Sequence, residues 1–444
     1  MTPSLWGSVR PKVKRHWGLI FLIVLALLYL VPIYFIERTP EEGVTEIYFA
    51  DSITEAHRIL IDRYNRDHAG TVKVVPIDFP FADFSTNERK EILARSLRGE
   101  GGGIDLLAVD IVWVQRFARW CEPLDRYFTP EELAALVPDA LYSCYSGGRL
   151  LAVPLDRVQG VIYYREDLLQ SLRRGGEVIR ALRKGMTWPE FEGWKKKLNW
   201  TRPFYVFPAA EYEGLICVYI ENLLSLDPLY FSAHGFEFTT PQAKAALRLL
   251  VDMLNKEQVT PLVATTFTET QSYKYFVEND GLFIRGWNSY DKDYRRNPFD
   301  PAKERHLRKA SIPYPSGGIP ASMLGGWNLM VPTNSAKKKA TVDFIKFLLS
   351  RSSQEIFYSK GSYYPVITAF YEDSSYLVQY PEISEMKRLM STGVHRPLER
   401  DYTKYSEIMA HYISLAIRNR VPIDSALAGM TGAIKAERAA AGAR

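Results

Sequence analysis

The chain has 444 residues, more than one hydrophobic core usually organises, so we expect two lobes or domains. Its composition, 47% apolar and 24% charged, is that of an ordinary globular protein. Part of the net charge of +5 lies in Arg10–His16, ahead of an apolar stretch, and no basic stripe interleaved with aromatic residues follows. Nucleic acid is therefore excluded as an expected partner.

An apolar stretch near the N-terminus predicts a transmembrane anchor at residues 17–36. Gly18–Ile36 contain no charged residue, and as a helix they span about 28 Å, close to the hydrocarbon thickness of a bilayer. The alternative is a cleaved secretory signal. Against it, the run exceeds the usual apolar segment of about 7–15 residues, and no small-residue cleavage site or lipidated cysteine follows.

The charges on either side of the apolar stretch predict its orientation. Basic residues precede it and Glu37, Glu41 and Glu42 follow it, which places residues 1–16 in the cytoplasm. Residues 37–45 then form a linker. We expect a single pass through the cell (inner) membrane, with the main domain in the periplasm or extracellular space.

Strand and helix patterns alternate after the linker. The predicted order is strand, helix, strand, helix, strand, at residues 46–50, 52–67 (N-capped by Ser52), 71–79, 87–100 and 104–110. This order predicts a mostly parallel α/β sheet, in which ligands bind beyond the C-terminal ends of the strands. Further strands are predicted at 149–155 and 160–165, and Thr187 caps a helix that has Pro189 in its first turn.

The three cysteines allow two interpretations. Cys121 and Cys144 flank a predicted helix and are the better candidates for a disulfide in an oxidising compartment, with Cys217 left over. Alternatively, all three are small buried side chains with free thiols.

No catalytic or metal-binding pattern stands out. HExxH, CxxC and the nucleophile-elbow motif are absent, and the seven histidines lack metal-ligand spacing. The glycine-rich segment Gly99–Gly103 precedes a strand and is followed by no Lys-Ser/Thr pair, so it does not have the pattern of a phosphate loop. We expect no enzyme activity, cofactor or metal, although a glycosidase-type carboxylate pair leaves a membrane-tethered carbohydrate hydrolase as an alternative.

Tryptophans at the junctions of predicted elements favour a polyhydroxylated ligand. Trp113 follows Asp110, Trp287 follows Arg285, and Trp327 follows two glycines. Each tryptophan alone is a core candidate, but together they suit a sugar. The C–H faces of a sugar ring stack on aromatic rings, while its hydroxyls need Asp, Glu, Asn or Arg partners.

From about Glu46 onward the sequence resembles the extracellular solute-binding proteins of ABC importers, specifically the group that captures maltose, trehalose and related sugars. The resemblance rests on ordered segments at residues 104–125, 147–169, 186–194, 211–222, 283–287, 325–335, 337–350, 363–373 and 395–397, among them IDLLAVDIVWVQ, GGRLLAVPL, FIRGW and GGWNLMVPTNS. It implies an α/β, two-lobed periplasmic-binding-protein-like fold (type II). The predicted N-terminal transmembrane helix lies outside the resemblance, since such proteins usually carry a cleaved or lipidated signal.

The resemblance also implies how the lobes are divided. It assigns residues 46–157 and 327–390 to the N-lobe and residues 158–326 and 391–444 to the C-lobe. The chain is expected to cross between them near Leu155–Gln159, Gly325–Trp327 and His395.

The same resemblance implies a ligand site in the cleft between the lobes and partners in the membrane. The implied ligand-binding residues are Asp51, Asp110 and Trp113 on one side and Glu213, Arg285 and Trp287 on the other, with Tyr212 and Trp327 close by. The implied partners are a small-molecule sugar and ABC permease subunits, which would supply any ATP-driven step.

Departures from the family pattern leave the ligand open. Leu155 and Val158 stand where relatives commonly have Trp and Asp, Pro208 where they have Gln, and Gly286 where they have Asn. We expect the missing polar contacts to have moved to Asp156, Arg157 or Gln159. The departures also favour a second hypothesis: a binding-protein-like ectodomain that acts as a sensor or interaction partner of a membrane complex without importing sugar.

Overall fold

The computed structural model describes residues 43–80, 86–99, 103–290, 299–361 and 363–442. The predicted anchor at 17–36 lies outside the described residues. Within them, no helix is long and apolar enough to cross a bilayer.

Thirteen strands are described: β1 Thr45–Asp51, β2 Val72–Asp78, β3 Leu106–Asp110, β4 Tyr145–Ser146, β5 Arg149–Leu150, β6 Val153–Pro154, β7 Val158–Arg165, β8 Tyr205–Val206, β9 Phe283–Trp287, β10 Leu307–Ala310, β11 Ser322–Gly325, β12 Trp327–Met330 and β13 Gly393–Val394.

The strands form two larger sheets and one small hairpin. The first sheet has the order β2-β1-β3-β12-β6, with β1 parallel to β2 and β3 and with β12 antiparallel to both of its neighbours. The second has the order β13-β11-β7-β9-β8, with β10 paired to β7, and β4 with β5 forms the hairpin. We call the halves built on the first and second sheets the N-lobe and the C-lobe; their full limits stay a prediction.

Helices cover both sheets. The α-helices are Glu55–Asp67, Thr86–Arg98, Val114–Phe117, Pro130–Ala134, Pro138–Tyr142, Glu166–Ser171, Gly175–Lys184, Trp188–Lys197, Glu213–Leu226, Tyr230–His234, Pro241–Asn255, Glu269–Glu278, Pro301–Glu304, Lys338–Leu348, Arg351–Gly361, Ala369–Glu372, Ser374–Gln379, Ile383–Met390, Tyr402–Ile417 and Ile423–Gly442. Short 3₁₀ turns lie at Ile111–Trp113, Ala118–Trp120 and Leu262–Thr266. The result is a two-lobed α/β architecture.

Local sequence explains where two of these helices begin. The predicted cap at Thr187 is confirmed: its hydroxyl and Glu190 satisfy the free backbone groups of the first turn in a capping box. The predicted cap at Ser52 is wrong, because the helix begins at Glu55 with Thr54 as its cap and His57 in the reciprocal position. The backbone N–H of Ser52 instead donates to Asp51.

The predicted Cys121–Cys144 disulfide is not what the structure shows. Cys121, Cys144 and Cys217 are all free thiols. Each is buried in the hydrophobic core, and burial raises the pKa of every one of these thiols above its ordinary value. They behave as small apolar side chains, the alternative interpretation of their pattern.

The chain crosses between the two larger sheets at two short segments. One runs from β6 to β7 through Leu155–Arg157, and the other passes from β11 to β12 through Gly326 alone. Gly326 has a φ of +134°, and a Cβ placed there would lie 2.5 Å from the backbone oxygen of Asp156. The two crossings therefore touch backbone to backbone, which only glycine permits at this position.

Gly326→Ala is expected to lower the free energy of unfolding by at least about 1–3 kcal/mol, because it adds a steric clash to a strained φ. The matched control is Gly148→Ala. Gly148 also has a positive φ, +77°, but nothing lies within 4 Å of its added Cβ. Chemical denaturation of both variants separates the two effects. An equal decrease in the free energy of unfolding for both variants would show that the contact with Asp156 does not contribute to stability.

Glu192 provides a pH-dependent test of packing between helices. Burial, with Glu257 and Asp252 nearby, raises the pKa of its carboxyl from 4.5 to about 7. The folded state thus holds a proton that the unfolded chain releases, so this group costs stability as pH rises from about 4.5 to 7. Glu192→Gln is expected to raise the melting temperature at pH 8 but not at pH 4. Glu278→Gln, at an exposed position, is the control, and a gain independent of pH would contradict the assignment.

Candidate functional site

The predicted site residues gather around the crossing at Gly326. Asp51 ends β1, Asp110 ends β3, and Trp327 begins β12 opposite Asp110. Trp287 ends β9 in the other sheet, and its ring lies against Gly325, where an added Cβ would be 3.2 Å from Trp287 Cζ3. Residues from both sheets therefore converge on one place.

Arg396 joins a carboxylate of each lobe and is the centre of this arrangement. Its Nη2 donates to Asp110 Oδ1 and its Nη1 donates to Glu213 Oε1, each at 2.9 Å. The Tyr402 hydroxyl donates to the same Glu213 oxygen at 2.8 Å. Burial alone would lower the pKa of the Arg396 guanidinium, but Asp110 and Glu213 outweigh it and raise the pKa well above its ordinary value. Arg396 is thus a permanent cation between two predicted ligand-binding carboxylates.

Local structure places both carboxylates. Asp110 caps the 3₁₀ turn that follows β3, where its Oδ1 also accepts from the backbone N–H of Val112 at 3.1 Å. Glu213 lies in the first turn of the helix Glu213–Leu226, where the helix dipole favours a negative charge. Both side chains are only partly buried, so oxygen lone pairs remain for further donors.

An aromatic group lies on the N-lobe side of Arg396. Trp113 is 2% exposed and packs edge to face on Trp327 at 5.7 Å between ring centres. Trp327 is partly exposed, and the Arg89 guanidinium lies 4.2 Å above its ring. Arg89 in turn pairs with Asp51 at 3.1 Å. Trp327 therefore presents an aromatic surface, while Trp113 supports it from the core.

Asp51 is buried and pairs with other side chains of the protein. It is 4% exposed, and its two oxygens lie 3.1 Å from Arg89 Nη2 and 3.2 Å from His57 Nε2. Its observed contacts hold Arg89 over Trp327. Direct contact between Asp51 and a ligand stays a prediction.

A second aromatic group lies on the C-lobe side. Arg285 is fully buried, with its guanidinium 4.3 Å from the centre of the partly exposed Trp287 ring. Arg285 Nη2 donates to Glu221 Oε1 at 2.8 Å, and that oxygen also accepts from the backbone N–H of Met323. Burial lowers the pKa of Arg285, but the Glu221 carboxylate overrides this and raises it above its ordinary value. Arg285 supports the ring from below.

Tyr212 and Glu269 complete the C-lobe side. Gly214 leaves room for both, since a Cβ there would lie 2.2 Å from the Tyr212 hydroxyl and 2.9 Å from Glu269 Oε1. Burial raises the pKa of the Glu269 carboxyl, although the neighbouring Tyr212, Arg285 and Trp287 oppose the shift. Burial also raises the pKa of Tyr212 well above its ordinary value. Glu269 is thus a polar group beside the Trp287 surface.

Sequence reasoning missed Arg396, Tyr402, Glu269 and Arg89. Arg396 lies 286 positions from Asp110 and 183 from Glu213, so no local pattern connects them. The one available signal was the pair Arg396-Pro397, which the family resemblance includes without giving it a role.

The missing polar contacts were expected at Asp156, Arg157 or Gln159; the structure shows all three with internal partners, and contact with a ligand stays a prediction for them. All three are at most 3% exposed. Asp156 accepts from the backbone N–H of Trp327, Arg157 pairs with Asp139, and Gln159 donates to Ser322, Leu389 and Thr392. These side chains stabilise the segments that cross between the sheets, because a buried polar group needs an internal partner.

Two contacts join the lobes beside the site. Lys90 Nζ lies 3.1 Å from Glu407 Oε1, and Arg116 Nη1 donates to Thr403 Oγ1 at 3.0 Å. Lys90 and Arg116 belong to the half built on the first sheet, whereas the helix Tyr402–Ile417 packs on the helices of the other half.

Comparison with known proteins agrees with this architecture. The family model for the bacterial extracellular solute-binding protein matches residues 60–385. The chain belongs to this family. A probable ABC transporter-binding protein of Deinococcus radiodurans is 24% identical over 353 residues, which cover 78% of this chain and 81% of that protein.

Solved structures of other solute-binding proteins share the fold. The maltose-bound MalE3 protein of T. maritima superimposes with a TM-score of 0.76 at 25% identity, covering 88% of this chain and 99% of that one. A solute-binding protein of Thermotoga lettingae bound to α-D-tagatose gives 0.74 at 19% identity, with 88% and 98% coverage. The Thermus thermophilus maltotriose-binding protein gives 0.64 at 20% identity, with 87% and 100% coverage.

Proposed function

We propose that this solute-binding protein captures a di- or oligosaccharide in the cleft between its lobes and delivers it to an ABC importer. One observation carries the proposal: Arg396 holds Asp110 and Glu213, one carboxylate from each lobe, together, and each lobe also presents a partly exposed tryptophan ring, Trp327 or Trp287. The sugar-bound relatives of the same fold support the ligand class.

The chemistry of the site suits a neutral sugar better than an ion. The two tryptophan rings offer flat apolar surfaces for the C–H faces of sugar rings. Asp110, Glu213 and Glu269 offer acceptors for hydroxyl groups, and Arg396 offsets one of the two negative charges of Asp110 and Glu213. A small number of polar groups in an otherwise apolar cleft is the usual composition of a small-molecule site.

Hinge motion gives the site a means of capture. The crossings at Leu155–Arg157 and Gly326 are short, and the groups that form the site lie on both sides of them. A sugar that contacts both lobes binds the closed form more tightly than the open one, so it shifts the population toward closure. Closure would then be the signal that the importer reads.

The N-terminal segment is proposed to anchor the protein beside its importer in the cell membrane. A receptor tethered through the linker at 37–45 would reach its permease at an effective concentration on the order of millimolar. The permease subunits would supply the ATP-driven step. N-terminal sequencing of the mature protein tests the anchor, and cleavage after Ile36 would overturn it.

The decisive test of the proposed function is to identify what the protein binds. Native mass spectrometry of the purified full-length chain is expected to show a co-purifying carbohydrate, and calorimetry should then give its affinity. A broad sugar panel that shifts no melting temperature would overturn sugar capture. If permease or sensor subunits co-purified in that case, the sensor or interaction-partner hypothesis would replace it. The internal ion pairs of Asp51 with Arg89 and of Arg285 with Glu221 favour this second candidate, since they engage two of the predicted ligand-binding groups.

A further inference from the structure

A cluster of polar side chains joins the two lobes without including any predicted ligand-binding residue. We call it the Glu407 latch, and its members are Lys90, Glu91, Arg116, Thr403 and Glu407. The first three lie on the helices Thr86–Arg98 and Val114–Phe117 of the N-lobe, and the last two lie on the helix Tyr402–Ile417.

The helix Tyr402–Ile417 belongs to the C-lobe but reaches the N-lobe. It packs on the C-lobe helices Glu213–Leu226 and Pro241–Asn255 and also lies against the 3₁₀ turn Ile111–Trp113. Its attachment to the C-lobe is a hydrophobic core, whereas the latch contacts with the N-lobe are polar. In a hinge motion the packed helices stay together, so the contacts that break are those of the latch.

The pair of Lys90 and Glu407 is the main contact of the latch. Lys90 Nζ lies 3.1 Å from Glu407 Oε1 across the lobes and 3.9 Å from Glu91 Oε1 on its own helix. Lys90 is only 3% exposed, while the Glu407 side chain is 59% exposed. A buried ammonium needs a nearby carboxylate to offset the loss of water. Because separation of the lobes takes Glu407 away from Lys90, the pair stabilises the closed arrangement specifically.

Arg116 adds a second contact between the lobes. Its Nη1 donates to Thr403 Oγ1 at 3.0 Å, and its Nη2 donates to Glu91 Oε1 at 3.3 Å. The N-lobe side of the latch therefore carries two cations and one carboxylate, and the C-lobe side carries one carboxylate. Opposite net charges face each other at contact distance, so the attraction needs no ligand.

We propose that the Glu407 latch holds the lobes together in the absence of a ligand, so that a substantial share of ligand-free molecules is already closed. The proposal goes beyond sugar capture, because the latch is made by the protein alone. A ligand loses less affinity to a conformational change when the closed state is already populated. Lys90 and Glu407 are thus positioning residues that act through closure.

The test measures the distance between the lobes in the purified full-length protein, freed of bound ligand and checked by native mass spectrometry. Spin labels are attached at Ala69→Cys on the N-lobe and Ala233→Cys on the C-lobe, both exposed positions, and read by double electron–electron resonance. The three native cysteines are at most 2% exposed and stay unlabelled. The labelled parent is expected to show a closed population of at least about one tenth, the upper end of the usual range for a minor state.

Glu407→Gln is expected to lower the ratio of closed to open molecules by at least about threefold, because one partner of the ion pair is buried and the other is half exposed. The exposure of Glu407 keeps the effect on folding small, and the melting temperature checks this. Raising the salt concentration from about 0.05 M to about 1 M should lower the ratio in the parent and lower it less in Glu407→Gln.

Glu437→Gln is the matched control. Glu437 Oε1 lies 2.7 Å from Lys404 Nζ, an ion pair that involves the same helix Tyr402–Ile417 but lies within the C-lobe. Its loss should leave the distribution of distances between the lobes unchanged.

Three results would overturn the latch: no closed population in the ligand-free parent, the same distribution in Glu407→Gln as in the parent, or an equal shift in Glu437→Gln. The measurement contains no sugar, so none of these results bears on the proposed function. Conversely, failure of every sugar to bind would overturn sugar capture and leave the latch in place.

Discussion

Glu221→Gln is expected to lower the free energy of unfolding by about 3–5 kcal/mol, the largest stability effect we predict. Glu221 and Arg285 are 2% and 0% exposed and form a buried ion pair at 2.8 Å. Glutamine has the same shape, and its carbonyl oxygen can still accept from the backbone N–H of Met323. The substitution therefore removes the charge alone and leaves the Arg285 guanidinium uncompensated in the core.

Glu269 does not fully replace the lost partner. Its carboxyl interacts electrostatically with Arg285, but burial raises its own pKa. Chemical denaturation of the purified protein measures the loss. The control is the double variant Glu221→Gln/Arg285→Met, which has no buried charge at either position and should recover most of the stability. A double variant as unstable as Glu221→Gln would show that shape, and not charge, matters here.

Trp287→Ala is expected to weaken sugar binding by at least tenfold, which corresponds to about 1.4 kcal/mol or more. Trp287 is partly exposed at the end of β9 and lies near Arg285, Glu269 and Gly325, the residue before the crossing at Gly326. Removing the ring deletes the stacking surface of the C-lobe side. Calorimetry with the sugar identified for the wild type is the measurement.

Two control variants distinguish a loss of the binding surface from a general loss of folding. Trp120→Ala also removes a partly buried tryptophan, but Trp120 lies near Thr333, at the opposite end of β12 from Trp327. It should leave the affinity unchanged. Trp287→Phe keeps an aromatic face and should retain part of the binding. Unaltered affinity in Trp287→Ala, with a normal melting temperature, would remove Trp287 from the site.

Much of the N-lobe could be predicted because its signals are local. The buried run before Asp110 and the helix over residues 55–67 follow from hydrophobic periodicity, and both are confirmed within a few residues. Parallel strands end at the same edge of a sheet. The strand order alone was therefore enough to predict ligand-binding side chains at Asp110 and just after it. The ordered family segments then identified the whole fold, and the family match confirms it.

Side-chain pairing could not be predicted in the same way. Asp51 and Asp110 look alike in the sequence, since each ends a strand of one parallel sheet. Asp51 is closed off by Arg89 and His57, whereas Asp110 stays partly open beside Arg396. How open each carboxylate is therefore depends on distant partners, Arg89 at 38 positions from Asp51 and Arg396 at 286 positions from Asp110.

The sequence by itself determined the α/β class, the family and the edge of the N-lobe sheet where the candidate site lies, because periodicity, capping and strand order act over neighbouring residues. It also indicated that the cysteines could be free buried thiols, without choosing between that and a disulfide. Only the tertiary structure decided that Arg396 holds Asp110 and Glu213 together, that Asp156 to Gln159 stabilise the crossings, and that Lys90 pairs with Glu407 between the lobes. These outcomes depend on burial and on contacts between distant segments. The role of a charged or aromatic side chain is set by the residues that folding brings into contact with it.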